Sequence, residues 1–319
     1  MQILVVSIIV YLAAEAFEQD GVGFWNSLGR QHLNKKFQWK TPDEKGPKNV
    51  IIFLGDGMGI SMVTAGRIAQ SQKDGNIYNN NHYSFEQFDF SGHVHTSSFN
   101  YHTTDSAAGA MGLFTGHKVD QDTLGRLDVG IVTVVPITDA TPAATYAKDV
   151  HRQMQYDDSE KIRGTLCVDI AKQILREPAN KFKVIMGGGH DYLLPVKKGG
   201  NRKDGRDIEQ EWLKLGGKRS LLRTVDELAR HKVKKDEHVL GIFEKSYFDY
   251  HLNQTTHGKK TSPRLIEMAT KAVKVLQASS NRKGYFLMIE GGNIDIAEHA
   301  NMMNMAIAEM NEFSKTIQA

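Results

Sequence analysis

Three apolar runs in this chain end in oxygen-bearing side chains, and that repetition points to chemistry. Asn49-Val-Ile-Ile-Phe-Leu-Gly-Asp-Gly-Met-Gly59 empties into Asp56 between two glycines. Gly130-Ile-Val-Thr-Val-Val-Pro136 is followed by Asp139 and Thr141, and Tyr285-Phe-Leu-Met-Ile-Glu-Gly-Gly292 ends at Glu290. Hard oxygen donors of this kind suit a divalent cation. If the three runs share one parallel sheet, their ends converge on the edge where open α/β sheets bind ligands. For Asp56 alone, a turn aspartate at a strand end is the competing reading. A dinucleotide loop is excluded, because Ile60 stands where the third glycine belongs and a carboxylate in the turn would repel a bare phosphate.

Four further residues complete the candidate set. Asp295 and His299 are i and i+4, so on a helix they share a face and could hold one zinc ion; a plain helical ion pair is the alternative. Ser106 follows Asp105 at the entrance to an alanine-rich run, where free backbone N–H groups and the helix dipole favour an anion such as phosphate. An Asp-Ser cap with no further role competes with that. Arg152 would supply a bidentate, permanently charged clamp for phosphate oxygens.

Periodicity supplies the elements that must position these groups. Residues 17–37 have helical spacing and 41–48 form a polar connector. The run into Asp56 reads as a buried strand of a parallel sheet, followed by a helix over 61–72 and a polar loop over 76–83. Residues 90–99 have strand character, 103–114 open a helix, and 130–136 are a β-branched strand. A helix over 167–176, a strand over 182–186 and a tight Gly187-Gly188-Gly189 loop follow. Helices over 207–215, 224–230 and 263–278, strands over 239–243 and 285–290, and a methionine-rich helix from Asp295 to the end complete the pattern. Strands alternating with helices predict an α/β fold with a doubly wound, mostly parallel sheet flanked by helices.

Composition narrows the class. With 319 residues the chain can bury a sizeable core, and a net charge of +3 with basic clusters lacking interleaved aromatics argues against nucleic acid as partner. Residues 1–16 carry an apolar run ending in Ala14-Glu15-Ala16, the small-x-small pattern of a secretory signal peptide. Export implies an oxidising compartment, yet Cys167 is the only cysteine and no internal disulfide can form. The sequon Asn253-Gln254-Thr255 fits a surface loop of a secreted glycoprotein.

Taken together, Asp56-Gly-Met-Gly, Asp105-Ser106-Ala, Asp139-Ala-Thr-Pro-Ala-Ala144 with Arg152, and Glu290-Gly-Gly-x-Ile-Asp295 with His299 resemble the alkaline phosphatases of animals, insects included, in the right order from about Lys48 onward. The resemblance implies a phosphate monoester hydrolase with Ser106 as the nucleophile that becomes phosphoseryl and Arg152 as the phosphate clamp. It implies two zinc ions, one held in part by Asp56 and one by Asp295 and His299, and a magnesium ion on Asp56, Thr141 and Glu290. Asp139 then stands beside the magnesium and Asp105 beside the nucleophile. The Asp139/Thr141 pairing is similar to the bacterial enzymes. A homodimer acting on small-molecule phosphate monoesters is implied, in the secretory pathway, extracellular or on the outer face of the plasma membrane. Membrane attachment would come only through a lipid anchor encoded beyond this chain.

Departures from the family shape further expectations. The remaining zinc ligands of family members lie past the position of Ala319, so 48–319 reads as an alkaline-phosphatase-like domain without its C-terminal part, with both zinc sites incomplete and activity impaired. Residues 17–47 read as an N-terminal arm. Between Ser106 and Asp139 the chain is shorter than the family by about two dozen residues, enough to remove a crossover helix. Thr103 and Met111 stand where other residues are usual. The calcium site of the animal enzymes is doubtful, because Phe243 and Glu244 match but Ser262 replaces an aspartate. A non-catalytic secreted scaffold or binding glycoprotein of the same fold is the alternative function, and a sulfatase-like or phosphodiesterase-like relative is a third.

Overall fold

Short segments rich in Val, Ile, Leu and Met alternate with segments of helical periodicity, and such strands must pair and be covered on both faces to satisfy their backbone and bury their side chains. The computed structural model describes residues 22–37, 47–75, 82–88, 90–124, 130–148, 150–162, 164–256, 258, 262–279 and 284–319. The expected signal peptide over 1–16 lies outside the described residues. Strands are β1 (Val50–Gly55), β2 (Thr123–Leu124), β3 (Gly130–Pro136), β4 (Val150–His151), β5 (Val184–Gly188), β6 (Arg219–Leu222), β7 (His238–Ile242) and β8 (Phe286–Gly291). Helices are α1 (Val22–Phe37), α2 (Ile60–Lys73), α3 (Ser106–Thr115), α4 (Ala140–Ala144), α5 (Ile170–Gln173), α6 (His190–Leu193), α7 (Ile208–Leu213), α8 (Val225–Arg230), α9 (His251–Thr256), α10 (Leu265–Gln277), α11 (Asn293–His299) and α12 (Met303–Gln318).

Six strands form one parallel sheet in the order β1-β8-β3-β5-β7-β6. Alternate side chains feed two cores, as a period of two requires. Ile131, Ile185, Leu240 and Met288 face a core shared with residues of α3, α4, α5 and α7. Val132, Val184, Met186, Val239, Leu287 and Ile289 face the other, shared with Met62 of α2, the α10 stripe Leu265, Met268, Ala269, Ala272, Val275 and Leu276, and Met310 and Phe313 of α12. Helices therefore cover both faces, which is the doubly wound arrangement. β2 and β4 make a separate antiparallel pair.

Several segments differ from their sequence reading. β1 is paired only with β8 and lies at the sheet edge, so Val50 and Ile51 are 41% and 38% exposed where a buried strand was expected. Residues 90–99 form no strand among the described residues, and Phe90 and Val94 are exposed. The helix expected over 167–176 contracts to α5, started by the Asp169 cap at Lys172 N. The expected C-terminal helix is two helices: Asn301 has φ 56°, a left-handed conformation that asparagine tolerates and that breaks the run between α11 and α12. The sequon is not in a loop; Asn253 sits in α9 and donates its Nδ2 to Asp249 Oδ1 at 2.8 Å.

Where α12 meets α9, a buried carboxylate makes stability pH-dependent. Glu309 accepts from His251 N at 2.6 Å, but burial, with the Glu312 and Asp249 charges adding, pushes it up to about 7. Its folded-state value lies above its unfolded one, so the stabilisation is complete below the ordinary glutamate range and is lost as pH rises through about 7. Chemical denaturation of Glu309→Gln from pH 5 to 8 should therefore show a flatter stability profile than the parent. Parallel profiles would disprove this assignment.

Candidate active site

The register of β1, β8 and β3 places the three oxygen-bearing ends side by side. Leu54 and Gly55 of β1 pair with Glu290 and Gly291 of β8, and Thr133 of β3 pairs with Glu290. Asp56 leaves β1 into a turn in which Gly57 adopts φ +73°. A Cβ at Gly57 would lie 2.8 Å from Asp295 Cα, so only glycine lets this turn approach α11 so closely. Asp139 caps α4, accepting from Ala140 N at 2.8 Å, and Thr141 is in the first turn of that helix. Asp56, Ser106, Asp139, Thr141, Arg152, Glu290, Asp295 and His299 all line one cavity of about 90 Å³. It adjoins a groove of about 610 Å³ that also exposes Asp105, Gln121, Asp122 and Leu113.

Ser106 is the first residue of α3, and its side chain stands beside Asp56, where it favours the ionised carboxylate. The anion-binding reading of this helix start needs amending. The Ala107 and Ala108 N–H groups that could have met an anion are taken by Asp105 at 2.9 and 3.2 Å. Asp105 does more than cap. It accepts from Asp122 N at 3.0 Å and from Arg152 Nη1 at 3.0 Å. Burial alone would raise it, yet the backbone N–H groups of Asp122, Ala107 and Ala108 together with Arg152 hold it below the usual carboxylate range. The β2–β4 pair brings Arg152 here, its N donating to Asp122 O at 3.0 Å, and its Nη2 stands 3.6 Å from Asp139 Oδ1. Desolvation opposes the charge of Arg152, but the Asp139, Asp105 and Asp122 carboxylates outweigh it and raise its pKa.

On the opposite side, Glu290 is 1% exposed and receives Thr133 Oγ1 at 2.5 Å. Burial and then the Asp56 charge push Glu290 up to about 8, and burial followed by the Asp295 charge raises Asp56. A buried carboxylate, Glu290, and a half-buried one, Asp56, repel each other and form a donor set suited to a hard divalent cation. Asp295 and His299 face each other on α11, with Nε2 3.3 Å from Oδ2 and the imidazole largely exposed. Among the described residues no three His, Cys, Asp or Glu side chains group as ready metal ligands, and the hydroxyl-bearing Thr141 and Ser106 line the same cavity as Asp56 and Glu290. At the doubtful calcium position, Ser262 Oγ donates to Glu244.

Two contributors escaped the sequence reading. Thr133 was legible in principle, as the one polar side chain in the otherwise apolar β3, whereas Tyr247 of the loop after β7 carried no signal. Tyr247 Oη donates to Asp139 Oδ2 at 2.9 Å and lines the same cavity.

The family model "Alkaline phosphatase" matches residues 47–319. The chain belongs to the alkaline phosphatase family. Its sequence is 34% identical to the membrane-bound alkaline phosphatase of Bombyx mori over 85% of this chain and 56% of that one. To the human tissue-nonspecific isozyme of alkaline phosphatase it is 30% identical over 92% of this chain and 63% of that one. The fold is similar to the Thermus thermophilus alkaline phosphatase, with a TM-score of 0.69 at 24% identity over 86% of this chain and 56% of that one. The chain thus spans between half and two thirds of the length of these alkaline phosphatases.

Proposed function

We propose that this chain is the phosphoryl-transfer part of a phosphate monoester hydrolase working through a phosphoseryl intermediate. The observation that carries this reading is the convergence of a helix-start serine, an anchored guanidinium and a repelling pair of carboxylates on one small cavity. Arg152 presents its guanidinium between Asp105 and Asp139, oriented to grip two phosphate oxygens. Ser106 Oγ then attacks phosphorus, and the oxygen–phosphorus bond to the leaving alcohol breaks as the serine ester forms. Asp56 lines the cavity beside Ser106 and would help to position the serine hydroxyl. The leaving alcohol would occupy the adjoining groove, whose breadth fits many alcohols rather than one.

The donor types fit the family's metals. Asp56, Thr141 and Glu290 would hold magnesium, while Asp56 on one side and Asp295 with His299 on the other would contribute to two zinc sites. When bound, these ions would neutralise the developing charge and lower the pKa of the serine hydroxyl and of the hydrolytic water. A homodimer and the secretory route belong to the same proposal, as does an extracellular or cell-surface location, which the membrane-bound name of the Bombyx mori relative supports. Among the described residues no helix is long and apolar enough to cross a membrane.

Hydrolysis of p-nitrophenyl phosphate at alkaline pH with zinc and magnesium supplied tests the activity. Turnover that Arg152→Ala weakens chiefly through KM is the expected result, and a folded chain without turnover favours the non-catalytic alternative. Magnesium binding has its own readout. At about 100 times its dissociation constant the ion should stabilise the native state by roughly 2.7 kcal/mol, seen as a higher Tm, and Glu290→Gln should lose most of that shift. Equal shifts in both proteins would place the ion elsewhere.

A further inference from the structure

The two carboxylates that hold Arg152 are not equally secured. Asp105 is fixed by three backbone N–H groups besides the arginine. Asp139 is 8% exposed and has one backbone donor, Ala140 N, on Oδ1. Its other oxygen is engaged by Tyr247 Oη at 2.9 Å. We infer that Tyr247 is a positioning residue for the anion clamp: its hydrogen bond fixes the Asp139 carboxylate, which in turn fixes one side of the Arg152 guanidinium.

The loop that carries Tyr247 is built to hold it still. Gly189 N and His190 N both donate to Glu244 O, at 3.0 and 3.1 Å, and Asp191 N donates to Lys245 O at 2.9 Å. Phe248 N donates to Val134 O at 3.1 Å, tying the far side of the loop to β3. Gly188 makes the close passage possible, because a Cβ there would lie 1.9 Å from Ser246 O. The tyrosine is thus clasped on both sides in sequence, and its hydroxyl arrives at Asp139 with little freedom left to lose. Burial, and then the charge of Asp139, raise the phenol above its ordinary range, so it remains a donor in alkaline solution.

Removing the hydroxyl leaves Asp139 Oδ2 poorly compensated in a nearly buried place. That oxygen is then free to swing toward Arg152, whose Nη2 is 3.6 Å from Oδ1. A guanidinium drawn onto Asp139 is less available to an anion in the cavity they both line, so the cost falls on anion binding rather than on the fold. The inference deepens the proposed function and rests on the reading of Arg152 as the phosphate clamp.

The test is a double-mutant cycle of Tyr247→Phe and Asp139→Ala in the full chain, reading inorganic phosphate affinity by calorimetry with the metals supplied. Tyr247→Phe should weaken phosphate binding about five- to tenfold, and should have no further effect once Asp139 is alanine. Equal losses in both backgrounds would overturn the inference, as would no loss in the parent. A second readout needs no ligand: the Arg152 Nε–Hε NMR signal, assigned by its disappearance in Arg152→Ala, should shift or broaden in Tyr247→Phe. An unchanged signal overturns the inference on its own. If the parent binds no phosphate but the signal responds, the proposed function fails while the positioning role stands.

Discussion

Ser106→Ala should fold like the parent and lose phosphate monoester hydrolysis by roughly three to six orders of magnitude, the range found when a covalent nucleophile is deleted. The fold should survive because nothing that starts α3 depends on the serine side chain. The cap is Asp105, bonded to Ala107 N and Ala108 N, and the helix closes on Gly116 in a left-handed conformation. What the substitution removes is the oxygen that would attack phosphorus, which lines the same cavity as Asp56. Arg152 keeps its bonds to Asp105 and Asp139, so phosphate binding should persist in the variant. Acid quenching after incubation with radiolabelled phosphate gives an independent readout: label should stay on the parent chain and not on Ser106→Ala. Undiminished turnover in the variant would sink the phosphoseryl reading. A parent that neither turns over nor takes up label, with metals supplied, would leave the scaffold alternative standing.

Much of the site was legible because its residues sit where strand ends meet turns, and turns advertise themselves. Asp56, Asp139 and Glu290 each come at or after the end of an apolar run, and a parallel sheet leaves such ends few places to go. The strand order β1-β8-β3 makes them neighbours although 234 positions separate Asp56 from Glu290, that is 290 − 56. The spacing of Asp295 and His299 likewise fixed their facing on α11 without any tertiary information. Sequence spoke less clearly about context. Nothing in the run Val50–Gly55 says that it has a neighbour on one side only, since edge and centre are properties of the assembled sheet. The helical pattern from Asp295 onward continues through Asn301, and only the backbone shows the left-handed break there. Tyr247 was invisible for a similar reason: its partner Asp139 is 108 positions away, and no local pattern marks a tyrosine whose hydroxyl reaches across the fold.

Arg202 makes the largest stability prediction, because its side chain is fully buried and its charge is met by the carboxylates of Asp169 and Asp204. It donates to both oxygens of Asp169, at 3.0 and 3.2 Å, to Asp204 at 2.7 Å and 3.2 Å, and to Tyr192 O at 3.2 Å. Asp169 is itself wholly buried and caps α5, so this one guanidinium ties that helix to the turn at 202–204. Taking one partner from a buried pair costs about 3–5 kcal/mol where the other charge is stranded, but here Lys172 Nζ, 3.2 Å from Asp169 and 2.9 Å from Asp204, still meets both carboxylates once the arginine is gone. Arg202→Ala should therefore lose stability toward the lower end of that scale, with Tm lower by several degrees in a chain of this size. Arg202→Lys should recover only part of it, because a point charge cannot meet Asp169 and Asp204 with the same fork. The decisive comparison is the double variant Arg202→Met with Asp169→Asn, which removes the stranded charge with its partner. It should be more stable than Arg202→Met alone. If the double variant is no better than the single, the loss comes from packing around the arginine and not from the carboxylate it neutralises.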